Sequence, residues 1–181
     1  MNHRSPRERW GAVARFLHWA MAVLILGQLA LGWFAGELDS SPEKIQWMTG
    51  HKSLGITILA LAVLRVAWRL LHGRPTEPPG IPAWSVWASR ASHAALYGLM
   101  LYLPLTGWLT ASTARLPWDL WWWFEWPRLA APDPALHEVA EDLHEIGVWL
   151  LVAVLLVHVA AGLWHHFVRQ DRVLARMWSD S

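Results

Sequence analysis

Cysteine is absent from all 181 residues. That absence excludes disulfides, thiolate-held iron–sulfur clusters and the covalent C-x-x-C-H attachment of a c-type haem. Any cofactor must be bound by histidine, carboxylate or methionine. Charge is scarce as well: 16% of residues are charged against 55% apolar, outside the usual balance of soluble domains. The net charge of +1 lacks the basic excess by which nucleic-acid binders are recognised, so no nucleic-acid partner is expected. Tryptophan stands at the other extreme, with 16 copies, and its side chain prefers the headgroup boundary of a bilayer. Together these point to one membrane domain covering 1–181, with membrane lipid as its first partner.

Apolar runs long enough to cross a hydrocarbon core, about 20 residues at about 1.5 Å each, occur at 16–36, 52–71, 91–112 and 143–168. The expected fold class is all-α: an integral membrane four-helix bundle of antiparallel spans. Between the second and third runs lies Arg74-Pro75-Thr76-Glu77-Pro78-Pro79-Gly80, whose prolines cannot continue a helix. Between the third and fourth, the tryptophan-rich segment 116–126 reads as lying in the interface rather than crossing it, with Trp121–Trp123 as an anchor. Basic residues set the orientation, because they are retained on the cytoplasmic side. One side carries Arg4, Arg7, Arg9, Arg15, Arg65, Arg69, Arg74, Arg90, Arg169, Arg172 and Arg176. The other carries only Lys44, Lys52, Arg115 and Arg128. Both termini are expected in the cytoplasm, at a bacterial inner membrane. The first span does not read as a cleaved signal, because cutting after Ala35 would put Trp33 where a small residue is required.

Histidine inside a bilayer is costly and rare, so each one is a functional candidate. His18 falls near the inner end of the first span, His51 at the outer start of the second and His93 at the inner start of the third, while His144 and His158 share the fourth. The fourteen residues from His144 to His158 correspond to about 21 Å of helical rise and a rotation within roughly 40° of one face. One helix thus offers ligands at two depths. Antiparallel packing supplies the partners, His51 for His144 and His18 for His158, which is the donor set of two six-coordinate haems. Small residues one turn away would let a macrocycle approach: Gly55, Gly147, Gly162 and Ala22. His93 has Tyr97 at that position and reads as a hydrogen-bonding neighbour or an alternative ligand. One mismatch remains, since His158 lies about 16 Å before Arg169 while His18 is near the rim. Either the fourth helix extends into the cytosol or the pairing differs.

Arg65 follows His51 by fourteen residues and lies on nearly the same face, where a haem propionate would satisfy its charge bidentately. Lys52 is the equivalent candidate on the outer side, and Arg69 reads as snorkelling to the headgroups. His165 is a candidate quinone-site donor at the inner interface. His3, His72 and His137 read as exposed loop residues.

The histidine contexts are Arg15-Phe16-Leu17-His18-Trp19, Gly50-His51-Lys52-Ser53-Leu54-Gly55, His93-Ala94-Ala95-Leu96-Tyr97, Leu143-His144-Glu145-Ile146-Gly147 and His158-Val159-Ala160-Ala161-Gly162-Leu163-Trp164-His165-His166. With the ending Asp171-Arg172-Val173-Leu174-Ala175-Arg176-Met177, they resemble the bacterial cytochrome b561 family over nearly the whole chain. The resemblance implies a four-helix cytochrome with two haem b groups that exchanges electrons with ubiquinone, with axial ligands at His18, His51, His144 and His158. One family member oxidises superoxide at the periplasmic face, and others serve as haem-bearing subunits of larger oxidoreductases.

The expected outer side carries ten acidic residues, Glu37, Asp39, Glu43, Asp119, Glu125, Asp133, Glu138, Glu141, Asp142 and Glu145, against its four basic ones, a net of −6. Such a field repels an anion such as superoxide, unless Lys52, Arg115 or Arg128 forms a local positive funnel. It suits a basic periplasmic redox protein better. The leading reading is transmembrane electron transfer between a periplasmic donor and quinone; the alternative is a haem-bearing anchor for a partner enzyme. A metal-ion transporter is the weaker third, since the interiors of the four spans lack carboxylates.

Overall fold

The computed structural model describes residues 10–73, 75–76 and 80–178. His3, Arg4, Arg7, Arg9, Arg74 and the Glu77-Pro78-Pro79 stretch lie outside the described residues.

Four long helices follow one another: α1 Ala12–Glu37, α2 Pro42–His72, α3 Ala83–Thr113 and α4 Pro134–Trp164. Each is long and apolar enough to cross a membrane. At about 1.5 Å per residue, the 31 residues of α2 or α3 overreach the roughly 30 Å of a hydrocarbon core, so both project past it. Local chemistry sets the boundaries. Ser41 caps α2, its hydroxyl accepting from the Lys44 N–H at 3.2 Å, and Asp133 caps α4 through the N–H groups of Ala135 and Leu136. Pro42 and Pro134 occupy the first helical positions, where a missing N–H costs nothing. Gly73 ends α2 at φ 69°, a conformation that glycine adopts without steric penalty. Beyond α4 the chain widens into a π-helical turn, His165–Arg169, passes through Gln170 at φ 52° and continues into the short α5, Ala175–Trp178.

Packing runs in sequence order, α1 on α2, α2 on α3 and α3 on α4. The α1 and α4 backbones stand further apart, and that seam is bridged by side chains: His18 with His158, and Trp33 with Trp149. A buried cluster of Met21, Ile25, Ile58, Ala62, Met100, Leu103 and Leu151 joins all four helices. On α1 and on α4 it falls between the two histidine levels. The outer surface of the bundle is apolar, with Phe16, Val23, Leu70, Leu156 and Phe167 all exposed. In water so continuous a patch would aggregate; lipid covers it. Trp19 Nε1 donates to the Met177 carbonyl at 2.8 Å, tying the start of α1 to the end of the chain on one end of the bundle.

Segment 116–126 contains a hairpin of two short antiparallel strands, β1 Asp119–Leu120 and β2 Phe124–Glu125. The turn between them places Trp121 at φ 51° and Trp122 at φ 61° and closes with the Trp123 N–H on the Leu120 carbonyl at 3.0 Å. These angles favour glycine or asparagine. The hairpin is pinned to α2: Trp121 N–H donates to Ser53 Oγ at 2.8 Å and its Nε1 to Thr57 Oγ1 at 3.3 Å. Trp118 is buried, whereas Trp122 and Trp123 are exposed.

Two sequence expectations are corrected. His137 is half-buried on α4 and not in a loop: its Nδ1 lies 3.0 Å from the Thr110 carbonyl and 3.2 Å from Thr113 Oγ1, fastening α4 to the end of α3. His72 is the last residue of α2, stacked on Trp68 with ring centres 3.8 Å apart.

Candidate cofactor site

The four helices bring the intramembrane histidines together at two levels. At one end, His51 of α2 faces His144 of α4, with ring centres 6.4 Å apart and planes at 85°. At the other, His18 of α1 faces His158 of α4 at 6.2 Å and 67°. A metal bound to one nitrogen of each ring, at about 2 Å per bond and roughly 1 Å from nitrogen to ring centre, sets the centres about 6 Å apart. Both pairs have the separation of two imidazoles on opposite sides of one metal. Beyond the His18–His158 pair, α4 and its π-helical turn run on for eleven residues past His158, to Arg169. The helix thus continues well past the level at which His18 and His158 meet.

His93 is placed beside His158, but their ring centres are 5.1 Å apart, closer than two rings flanking a metal. Its Nδ1 bonds the Ser89 carbonyl of its own helix at 2.6 Å. Among the described residues no group of three or more histidines and carboxylates could hold a bare metal ion.

Tautomers follow from the partners. His144 Nδ1 lies 3.0 Å from the Leu103 carbonyl; a carbonyl only accepts, so Nδ1 carries the proton and Nε2 keeps its lone pair for a metal. Around His18 lies a cationic cluster. Arg65 donates to the Tyr97 hydroxyl at 3.1 Å and to His18 Nδ1 at 3.1 Å, and its Nη1 is buried without a partner. Arg69 lies over the Tyr97 ring, 5.0 Å from its centre. These groups line a cavity of about 660 Å³ that also takes in His93, Gly162, Ser85 and His165. Lys52 is half-buried next to His51 in the chain, its Nζ 5.8 Å from the centre of the Trp118 ring.

His165 is buried at the far end of the cavity. The π-helical turn there widens the helix, a feature common at functional sites. His165 Nδ1 bonds Asp171 Oδ2 at 2.5 Å, and Nε2 lies 3.2 Å from Ser85 Oγ. Burial, the largest single influence, pushes the Asp171 carboxyl up, but the hydrogen bond and charge of His165, the Val173 N–H and Arg169 together outweigh it, so the group titrates below its ordinary value.

A haem fits these residues. Besides the two ring separations, an orphaned Arg65 nitrogen is ready for an anion, and two glycines clear space for the rings. A Cβ on Gly32 would come within 2.6 Å of His51 Cε1, and one on Gly107 within 3.0 Å of His144 Cε1. Sequence reasoning missed both, because they lie on neighbouring helices. Of the glycines it singled out, Gly55 faces Gln28, Gly147 faces Tyr102 and Leu103, and only Gly162 borders open space.

Two of the four expected outer cations are committed to helix ends. Lys44 Nζ donates to the Gly36 and Leu38 carbonyls, and Arg128 Nη1 to the Ser112 and Ala114 carbonyls at 2.6 and 2.7 Å, where the helix dipole favours positive charge.

The model of a protein family described as prokaryotic cytochrome b561 matches residues 9–180. The cytochrome b561 homolog 2 of Escherichia coli is 30% identical across the whole of this chain and 97% of its own length. The cytochrome b561 homolog 1 of the same organism is 26% identical over 93% of this chain and 96% of its own. A protein of Yersinia pestis named as a probable superoxide oxidase is 26% identical over 89% of this chain and 90% of its own.

Proposed function

The chain belongs to the prokaryotic cytochrome b561 family, multi-pass membrane proteins that bind b-type haem and transfer electrons, and from that premise we propose that it carries electrons through two haems between a periplasmic donor and ubiquinone. One observation carries the reading: two histidine pairs at 6.4 and 6.2 Å, fourteen residues apart on α4, each with the spacing of axial ligands. His51 and His144 would hold the outer haem and His18 and His158 the inner one, with Lys52 and Arg65 as propionate partners. When bound, the haems supply one-electron oxidation and reduction. The chain acts as one domain over 1–181 in the inner membrane, with both termini in the cytoplasm.

The residues around them bind, orient and deliver protons. Complete reduction of a quinone takes two protons as well as two electrons, so a proton donor must stand at the headgroup. His165, with Nδ1 on Asp171 and Nε2 toward Ser85, would take that role, with Asp171 as its link to the cytoplasm. At the outer end, the acidic surface and the commitment of Lys44 and Arg128 to helix carbonyls favour a cationic redox protein as donor over an anion. Superoxide, suggested by the Yersinia pestis relative, is the second donor to assay.

A pyridine haemochrome assay with a reduced-minus-oxidised spectrum tests the reading on purified protein. Two low-spin haem b groups per chain are expected. A single haem would remove one of the pairs. Quinone reduction by the isolated protein would separate an autonomous electron carrier from an anchor for a partner enzyme, which turns over only in complex.

A further inference from the structure

His165 has both ring nitrogens engaged, Nδ1 on Asp171 Oδ2 at 2.5 Å and Nε2 3.2 Å from Ser85 Oγ, and only 8% of the residue is exposed. An imidazole has no third polar atom. With these bonds in place it can hand a proton to a ligand only through the group at Nε2. That group is a hydroxyl, which has one donor and two acceptor sites and keeps capacity after bonding His165, and Ser85 lines the cavity. Ser85 is buried in the first turn of α3, its N–H on the Pro82 carbonyl at 3.0 Å. The start of a helix favours negative charge, such as gathers on a carbonyl oxygen as it is reduced. Two more serines, Ser89 and Ser92, follow at helical spacing on α3, and both line the cavity. Ser89 Oγ lies 3.3 Å from His93 of its own helix, and Ser92 Oγ is buried without a partner. Of the three, Ser85 is the one linked through a histidine to a carboxylate beyond the end of the fourth helix.

We infer that Ser85 is the residue that touches the quinone: its hydroxyl donates to one carbonyl oxygen and passes on the proton that His165 supplies. The inference rests on the quinone end proposed above. As the carbonyl is reduced, the Ser85 O–H bond breaks and a quinone O–H bond forms, while the Nε2 proton of His165 moves to Ser85 Oγ. His165 keeps its Nδ1 proton on Asp171 and is recharged from water at that end of the bundle. The two electrons come singly from the inner haem, ferrous iron becoming ferric each time, and the second carbonyl takes its proton from water in the cavity.

The test is stopped-flow oxidation of the prereduced full-length protein, carrying both haems, by ubiquinone-1, comparing wild type with Ser85→Ala, Ser85→Thr and Ser92→Ala. Ser85→Ala is expected to lower the limiting rate at saturating quinone about a hundredfold, within the usual contribution of a positioned acid. The half-saturating concentration should rise by less than about tenfold, the effect of one lost hydrogen bond. Ser85→Thr keeps a hydroxyl and restores the rate, Ser92→Ala leaves it unchanged, and the haem spectrum stays at wild type throughout. Slowing that Ser85→Thr does not relieve, a change in half-saturation alone, equal slowing in Ser92→Ala, or no slowing would overturn the role of Ser85 and leave quinone as the substrate. A wild type that ubiquinone-1 does not oxidise takes the quinone reading down, and Ser85 with it.

Discussion

Arg65 donates from Nη2 to Nδ1 of His18 across 3.1 Å. A guanidinium has no acceptor and stays protonated in proteins, so in this pairing the lone pair of His18 is on Nδ1 and the proton on Nε2. That is the tautomer opposite to the one fixed at His144. Ligation through Nε2 requires the proton to move and Arg65 to release the ring. A propionate offers the guanidinium a bidentate partner, and its idle Nη1 an anion. Replacing Arg65 by leucine would remove a positive charge from beside the haem proposed between His18 and His158 and stabilise its oxidised form. The inner potential is expected to drop by about 59 mV, tenfold in a one-electron equilibrium, in a redox titration, with the outer potential unchanged.

The two proposed ligand pairs can be separated genetically. His51→Ala and His144→Ala are each expected to lower the haemochrome stoichiometry from two haems to one, and to remove the same haem. His18→Ala and His158→Ala remove the other. His93→Ala retains both.

Space matters as much as ligands. A Cβ at Gly32 would press to 2.6 Å from the His51 ring, below any tolerated contact, and the ring must swing away. Gly32→Val is expected to lose more than half of the outer haem. Gly27→Ala is the control, since nothing lies within 4 Å of that position, and as an alanine in a helix it should stabilise α1 by roughly 0.5–1 kcal/mol. Haem occupancy and thermal denaturation in detergent measure both.

Asp171 bears on proton delivery at the quinone end. Its carboxyl titrates below the ordinary 3.8, so the His165–Asp171 contact contributes fully above that value and is lost only as the pH falls through the lowered one. Quinone reduction should show no inflection from Asp171 between about pH 5 and pH 8, the range in which an ordinary histidine titrates. Asp171→Asn is expected to slow quinone reduction about tenfold or more, within the usual contribution of a positioned proton-transfer group, with two haems retained.

Glu138, Glu141, Asp142 and Glu145 are exposed and recur at helical spacing beside His144. Neutralising Glu141 and Asp142 together should slow electron entry from a cationic redox protein severalfold at low salt and flatten its salt dependence. Entry from a small uncharged reductant should be unaffected. Equal slowing with both would dismiss electrostatic docking.

The four helices and their pairing level were legible because both rest on local periodicity. Apolar runs announce their own length, and His144 and His158 repeat on one face of one helix. Gly32 and Gly107 were not legible: each acts on a histidine of a neighbouring helix, and no spacing within one helix encodes that distance. The hairpin was hidden for another reason. Its turn puts Trp121 and Trp122 at positive φ without the glycine or asparagine that normally marks such a turn, and the hydrogen bonds to Ser53 and Thr57 that hold it come from 68 and 64 residues away. His137 looked like a loop residue because the start of α4 is not apolar.

Backbone packing joins three neighbouring helix pairs and leaves the seam between α1 and α4 to side chains. The first and last helices are therefore the two leaves of a clasp whose hinge is already set by α2 and α3. The histidines that meet across that seam, His18 and His158, sit on opposite leaves, so whatever bonds to both is also the latch, and removing it should loosen α1 and α4 before it disturbs the hinge.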